Sequence, residues 1–134
     1  MKITGFFAQI LKAPLKDQRW SWGATDPQGR IFLKVWDDQI TKDKKKVRVG
    51  FIENQPPIQR HCPGVAERNG HIDSIRNGAI AFGVICVAEE AHADPSQLRR
   101  IKSFSGNLAR FGTISVEQDV VYADIMGSQL TRNL

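Results

Sequence analysis

The sequence has few of the residues that mark special classes of protein. Its 134 residues include two cysteines and one tyrosine. One pair of cysteines does not make a disulfide framework, and Cys86 lies in the most hydrophobic run, where we expect a small buried residue. The histidines and cysteines follow neither a Cys-x-x-Cys nor a His-x-x-x-His spacing. We therefore expect no metal site and no cofactor.

Long hydrophobic segments are missing as well. The longest apolar run, "AIAFGVICVA" at residues 79–88, has the length of a β-strand and is too short to cross a membrane. Gln9 and Lys12 interrupt the apolar N-terminal segment, and no small-residue cleavage site follows, which argues against a signal peptide. We expect a cytoplasmic protein that forms a single domain over residues 1–134 and has no membrane partner.

An excess of basic residues is what the chain does have. Its 19 Lys and Arg against 14 Asp and Glu give a formal net charge of +5. Such a charge favours a polyanionic partner, nucleic acid in particular, although a basic cluster can also be a solvated face. The side chains that we predict to hold phosphates are Lys44, Lys45, Lys46, Arg48, Arg60 and Arg68.

All three tryptophans lie in "RWSWGATDPQGRIFLKVWDD", at residues 19–38. The segment "TDPQG" predicts a turn that joins two strands into a hairpin. On the second strand, the purely apolar face comprises Ile31, Leu33 and Val35. We expect this face to form the core, so that Trp36 lies with Phe32 and Lys34 on the opposite side or at the mouth of the strand.

An aromatic ring beside a carboxylate is suited to binding a nucleobase. The ring stacks on the base for roughly 1–3 kcal/mol, and the carboxylate accepts a hydrogen bond from the exocyclic amine of cytosine. The residues that we predict to line such a pocket or to read the base edge are Trp20, Trp22, Trp36, Asp37 and Asp38. The alternative is that the tryptophans cover the core, and we expect this of at least one of them.

The first half of the chain predicts strands followed by one helix. The N-terminal segment is a strand or a short helix that ends at Pro14, and the alternating residues 47–53 form a third strand. Residues 65–77 place Ile72 and Ile75 at helical spacing, and Gly78 follows at the C-cap.

The second half predicts mostly strands. Residues 79–89 read as a buried strand, whereas "EAHADPSQLRRIKSF" contains a helix-start signal and one short turn of helix. The segments "FGTISVE" and "VVYADI" form a final hairpin. The order predicts an α+β fold with a mostly antiparallel, barrel-like sheet and one or two helices.

The stretch "ERNGHIDSIRNGAIAFGVICVAEE", followed by "RRIKSF" and "FGTISVEQDVVYADI", resembles a small domain found ahead of HNH-type nuclease domains in bacterial restriction-like proteins. The hairpin "GRIFLKVWDD" fits the front half of that domain, so the resemblance covers about residues 19–125. The matching residues are Glu67, Arg68, His71, Ile75, Gly78, Ile101, Lys102, Phe104, Gly112 and Tyr122.

Such domains are similar to the PUA-like group, which includes the EVE and SRA readers of modified bases. The resemblance implies a barrel-like sheet that takes up a flipped, modified base in an aromatic-lined pocket. It also implies a nucleic-acid partner, DNA in the first place, and a nuclease as a further partner. No HNH residues follow before the sequence ends at Leu134, so the nuclease activity is not carried over and we expect no enzyme.

Two other functions remain open for the same residues. A protein-interaction or regulatory subunit in a conflict between host and phage would place the tryptophans at a protein interface. A small enzyme would use Cys62 with His71 and Glu67, and would need Cys62 and His71 within hydrogen-bond reach. An open aromatic cavity rimmed by positive charge would favour the nucleic-acid reader over both alternatives.

Overall fold

A curled sheet forms the centre of the protein. The computed structural model describes residues 1–18, 21–51, 63–89 and 100–134. The strands are β1 (Gly23–Thr25), β2 (Ile31–Trp36), β3 (Lys46–Phe51), β4 (Ala81–Ala88), β5 (Ile101–Phe104), β6 (Asn107–Glu117) and β7 (Val120–Leu130). They form one mixed sheet in the order β1-β2-β4-β6-β7-β3, which curls into a half-barrel, and β5 pairs with β4.

In the described part of the chain, two helical segments accompany the sheet. The first, α1, is an α-helical turn at Ile3–Gly5 that continues as a π-helical turn at Phe6–Ile10, so the helical alternative for the N-terminus is confirmed. The second, α2, spans Pro63–Arg76. Short 3-10 turns follow β2 at Asp37–Gln39 and β7 at Thr131–Asn133. Within the described residues, neither helix has both the length and the apolar character that crossing a membrane requires.

The predicted hairpin between the first two strands is confirmed. Asp26 organises its turn: Oδ1 accepts hydrogen bonds from the backbone N–H groups of Gln28 and Arg30, both at 2.9 Å. Oδ2 accepts from Arg30 Nε at 2.6 Å. Burial raises the pKa of Asp26, but the hydrogen bonds and the charge of Arg30 outweigh it, so the pKa lies below the ordinary value. The turn therefore holds β1 against β2 through an ionised, almost buried carboxylate.

A parallel pair of strands lies inside the sheet. β2 pairs with β4 in parallel, from Ile31 opposite Ala81 to Trp36 opposite Cys86, while the other described strand pairings are antiparallel. The connection between β2 and β4 runs through β3 and α2, because parallel neighbours need a long crossover. The α+β class and the barrel-like curling are confirmed. The parallel pairing was not predicted, although the continuous apolar run of β4 is typical of it.

The sheet buries apolar side chains on both faces. The α1-side core comprises Phe6, Phe7, Leu11, Ala13, Ala24, Phe32, Phe82, Val84, Cys86 and Leu108. The α2-side core comprises Ile31, Leu33, Val35, Val47, Val49, Ile72, Ile75, Ala81, Val121 and Ala123. The two faces of β2 are divided as predicted, but the expectation that only one of them is buried is wrong, because Phe32 has no exposed surface.

α2 matches its prediction closely. Its buried side chains include Val65, Ile72 and Ile75, and the helix ends in a Schellman motif. In this motif Gly78 N donates to Ile75 O and Ala79 N donates to Ser74 O, both at 3.0 Å. Gly78 has a φ of +101°, a backbone conformation that favours glycine. Local sequence signals were therefore sufficient to locate this helix.

The segment before the closing hairpin contains a strand that was not predicted. Ile101–Phe104 forms β5, which pairs antiparallel with the C-terminal part of β4. The short helical turn predicted after the Asp94-Pro95 signal lies outside the described residues. The hairpin itself is confirmed, with Gln118 and Asp119 at φ values of 51° and 66° in the turn between β6 and β7.

Candidate functional site

The predicted binding residues fall into two regions of the fold. Trp22 and Arg68 meet between the start of β1 and α2. The others follow one another along the connection from the end of β2 into β3: Trp36, Asp37, Asp38, Lys44, Lys45, Lys46 and Arg48. Trp20 and Arg60 lie outside the described residues.

Trp22 is held by an arginine that is itself buried. Arg68 Nη2 donates to Trp22 O at 3.1 Å and to Lys34 O at 2.5 Å. Its guanidinium carbon lies 5.6 Å from the centroid of the Trp22 ring, within the range of a cation–π contact. Trp22 remains 40% exposed, whereas Arg68 is only 6% exposed. The sequence predicted both residues for binding, but it could not indicate that one supports the other.

Burial also affects the pKa of Arg68. Desolvation lowers its pKa to about 10, while the neighbouring Cys86 and Glu67 act in the opposite direction. The guanidinium therefore stays charged at neutral pH. Because the group is enclosed and bound to two carbonyls, its observed contacts are those of a support for β1 and not those of a surface phosphate ligand.

A polar cluster that the sequence did not predict lies beside this arginine. Ser21 is almost fully buried, and its Oγ donates to Glu67 Oε2 at 3.2 Å. The same Oγ accepts from Asp17 N at 2.9 Å, and Ser21 O accepts from Lys34 Nζ at 3.0 Å. Burial lowers the pKa of Lys34, and the charge of Arg68 acts in the same direction. Ser21 and Lys34 lie in alternating sequence patterns that are ordinary for strands. Their participation in a buried polar cluster is therefore visible only in the tertiary structure.

An open cleft of about 640 Å³ lies between β1 and α2. Its lining residues are Pro14, Lys16, Gly23, Ala24, Thr25, Ala66, Glu67 and His71. We call it the β1–α2 cleft. Glu67 and His71 are four positions apart on α2, so they share one face of the helix and reach the cleft together. Burial lowers the pKa of His71, and the charge of Arg68 lowers it further.

One wall of this cleft is the backbone of an edge strand. Trp22 O accepts from Lys34 N at 2.7 Å and Asp26 N donates to Arg30 O at 2.9 Å. Since hydrogen-bonded and non-hydrogen-bonded pairs alternate along antiparallel strands, Gly23 and Thr25 turn their backbone groups away from β2. Position 23 requires glycine, because a Cβ atom there would lie 2.5 Å from Phe32 O.

The region after β2 is built differently. Trp36 is half-buried and packs against the α1-side core, and Asp37 and Asp38 are exposed in the 3-10 turn that follows. The stacking and base-reading roles predicted for these three residues remain predictions. Arg48, half-buried on β3, donates from Nη1 to Gln39 Oε1 at 3.4 Å and so connects β3 to this turn.

Residues 42–46 form a compact basic turn at the start of β3. Asp43 Oδ1 accepts from Thr41 Oγ1 at 2.6 Å and from Lys45 N at 3.0 Å. These hydrogen bonds, led by that from Thr41, lower the pKa of Asp43. Lys44 and Lys45 are exposed, whereas Lys46 Nζ lies 2.8 Å from Glu117 Oε1, and this contact raises the pKa of Lys46. The turn thus exposes Lys44 and Lys45 to solvent, while Lys46 forms an ion pair with Glu117.

Other chemistry has little support in the described part of the chain. No group of three or more His, Cys, Asp and Glu side chains there is arranged to hold a metal ion. Cys62, the nucleophile of the enzyme alternative, lies outside the described residues. Cys86 is a free, buried thiol, and burial raises its pKa to about 12, so it is not a thiolate at neutral pH.

Comparison of this chain with protein-family models, with curated proteins and with solved structures finds no match. The functional assignment therefore rests on the residues of this structure and on the resemblance described above.

Proposed function

We propose that this protein binds nucleic acid by stacking a base on Trp22 and by holding phosphates with Lys44 and Lys45. The observation that carries the proposal is the exposed Trp22 ring supported by the buried guanidinium of Arg68, 5.6 Å from the ring centroid. Trp22 is therefore an exposed aromatic plate whose backbone and ring are both held in place. A fixed ring loses little conformational freedom when a ligand stacks on it.

The basic turn supplies the electrostatic part of the proposal. Lys44 and Lys45 project from a turn that is stabilised by the hydrogen bonds of Asp43 Oδ1 with Thr41 Oγ1 and Lys45 N. Phosphate contacts from such side chains give affinity without base specificity, and they make the affinity depend on salt. The formal net charge of +5 acts in the same direction over the whole molecule.

The more specific part of the proposal follows from the resemblance to PUA-like readers. We propose that the curled half-barrel is a divergent member of that group and that it accepts a modified or flipped base. The curvature of the sheet and the closing β6–β7 hairpin are compatible with this proposal. We propose the base pocket beside Trp22 and α2 in preference to Trp36, because Trp36 packs against the α1-side core.

The proposal is tested by removing one tryptophan at a time. Binding of a labelled single-stranded oligonucleotide is measured by fluorescence anisotropy at low salt, and stability is measured by urea denaturation. We expect Trp22→Ala to weaken binding about tenfold, the loss of one stacked base, with a small change in stability.

Trp36→Ala is the matched control. Because Trp36 packs against the core, this change should reduce stability and leave the affinity of the folded fraction unchanged. The proposal is wrong if the unmodified protein binds neither DNA nor RNA at low salt. The role of Trp22 is wrong if Trp22→Ala binds as tightly as the unmodified protein.

A further inference from the structure

The β1–α2 cleft borders an unusual concentration of unpaired polar atoms. Within the described residues, four buried side-chain atoms without a hydrogen-bond partner belong to three residues of α2: Glu67 Oε1, Arg68 Nε, Arg68 Nη1 and His71 Nδ1. Proteins pair nearly all of their buried polar groups, because a buried group that lacks a partner destabilises the folded state. Of these residues, Glu67 and His71 line the open cleft, and their orphan atoms indicate that a polar ligand completes the site.

Glu67 is the acceptor in this cleft. Its Oε2 receives the hydrogen bond from Ser21 Oγ at 3.2 Å, which orients the carboxyl group while Oε1 stays unpaired. A carboxylate oxygen accepts hydrogen bonds and repels a carbonyl oxygen. The ligand must therefore present a hydrogen-bond donor to this wall, and an amine N–H group is such a donor.

His71 adds a second hydrogen-bonding group one helical turn away. Burial and the neighbouring Arg68 keep its imidazole neutral at physiological pH. A neutral imidazole both donates and accepts, so it can meet a ring nitrogen or a carbonyl oxygen next to the N–H group. Glu67 and His71 together thus fit an edge that combines a donor with an adjacent acceptor.

The remaining walls suit the rest of a nucleotide. Lys16 is exposed on the rim and offers a positive charge to a phosphate. Gly23 and Thr25 turn backbone groups toward the edge of β1 that pairs with no other described strand, where a sugar or a base can form hydrogen bonds. The volume of about 640 Å³ lies within the range of ordinary small-ligand sites.

We propose that the β1–α2 cleft binds a nucleotide whose base carries an exocyclic amine, with the amine donating to Glu67, the adjacent base acceptor facing His71 and the phosphate near Lys16. Cytosine has this donor–acceptor edge, whereas thymine presents a carbonyl oxygen where cytosine has its amine. The inference rests on the proposed nucleic-acid binding and adds to it a preference for amino-bearing bases.

The test compares two pyrimidine oligonucleotides, oligo-dC and oligo-dT, of equal length. The unmodified protein should bind oligo-dC more than about tenfold more tightly, the effect of one hydrogen bond to a charged acceptor. Glu67→Gln should reduce this ratio to near one, because the amide can donate to the carbonyl of thymine. Asp73→Asn removes the same charge from an exposed position on α2 and should leave the ratio unchanged.

A second measurement needs no variant and so does not depend on the folding of Glu67→Gln. In two-dimensional amide NMR spectra of the unmodified protein, dCMP should shift the signals of Gly23, Thr25, Glu67 and His71 more than dTMP does at equal concentration. Equal shifts by both nucleotides, or oligo-dC and oligo-dT of equal affinity, would overturn the cleft assignment while leaving the proposed function intact. Absence of all DNA and RNA binding would instead remove the proposed function.

Discussion

At the scale of single residues, Arg68 and His71 show how a buried charge on α2 affects a neighbouring side chain in the cleft. Arg68 is fixed under β1 by the carbonyls of Trp22 and Lys34, and its charge acts on His71, which faces the cleft. Both residues lie on a helix that the sequence located correctly. The contacts that hold Arg68 are with residues more than thirty positions away, so neither periodicity nor composition could predict that this side chain would be enclosed.

The lowered pKa of His71 makes stability depend on pH. An unfolded histidine titrates near 6.5, and the folded His71 titrates below that value because of burial and of Arg68. Between the two pKa values the unfolded chain binds more protons, so the free energy of unfolding falls as the pH falls. The contribution of His71 is complete above about pH 6.5 and is lost as the pH drops toward the folded pKa.

Urea denaturation at about pH 7.5 and about pH 5.5 measures this effect. The unmodified protein should lose more stability between the two values than His71→Gln, which has no imidazole at this position. His61 and His92 are present in both proteins, so their contributions cancel in the comparison. Equal losses in the two proteins would show that Arg68 and burial do not shift the titration of His71.

The elements that were predicted correctly have sequence signals, such as turn and capping residues, that lie within a few residues of one another. The β1–β2 hairpin follows from the turn around Asp26, and α2 follows from Ile72, Ile75 and the glycine at its C-cap. The apolar run of β4 is typical of a parallel strand, but neither its partner β2 nor their register has a local signal, because both depend on a crossover through β3 and α2. β5 was missed for the same reason: its partner is β4, and four residues are too few for a clear alternation.

The packing of α2 against the sheet provides a test at the scale of elements. Ile75 is 7% exposed in the α2-side core, so Ile75→Ala should reduce the free energy of unfolding by roughly 2–5 kcal/mol. Ile80 is 63% exposed just beyond the helix, so Ile80→Ala is a matched control with little expected effect. Chemical denaturation curves of both variants measure the difference. If the two substitutions cost the same, the buried face of α2 is assigned wrongly.

On the scale of the whole molecule, the sequence predicted a curled sheet with helices, and the structure is a mixed half-barrel with a core on each face. Both faces of β2 are buried, and this explains why Trp36 is packed against a core while Trp22 is exposed. Trp36 was expected away from the core, but the face that it shares with Phe32 is a second core. Trp22 escapes this burial because it precedes the edge strand β1 instead of lying inside the sheet.

The exposed lysines of the basic turn provide a matched comparison for the electrostatic part of the account. Lys44 and Lys45 are exposed, whereas Lys46 lies next to them in sequence and is engaged by Glu117 at 2.8 Å. Neutralising the first two should remove phosphate contacts. Neutralising Lys46 lowers the net charge by one unit but removes a lysine that is already paired with Glu117. This variant therefore controls for the effect of net charge on binding.

The most direct test of nucleic-acid binding is the salt dependence of the affinity for single-stranded DNA, measured by anisotropy with the unmodified protein, the double variant Lys44→Gln/Lys45→Gln, and Lys46→Gln. Each lost phosphate contact should reduce the slope of log affinity against log salt concentration by about 0.7. We predict linear dependence for the unmodified protein, a slope reduced by about 1.4 in the double variant, and a slope almost unchanged in Lys46→Gln. Affinity that does not change with salt, or the same slope in all three proteins, would contradict the account.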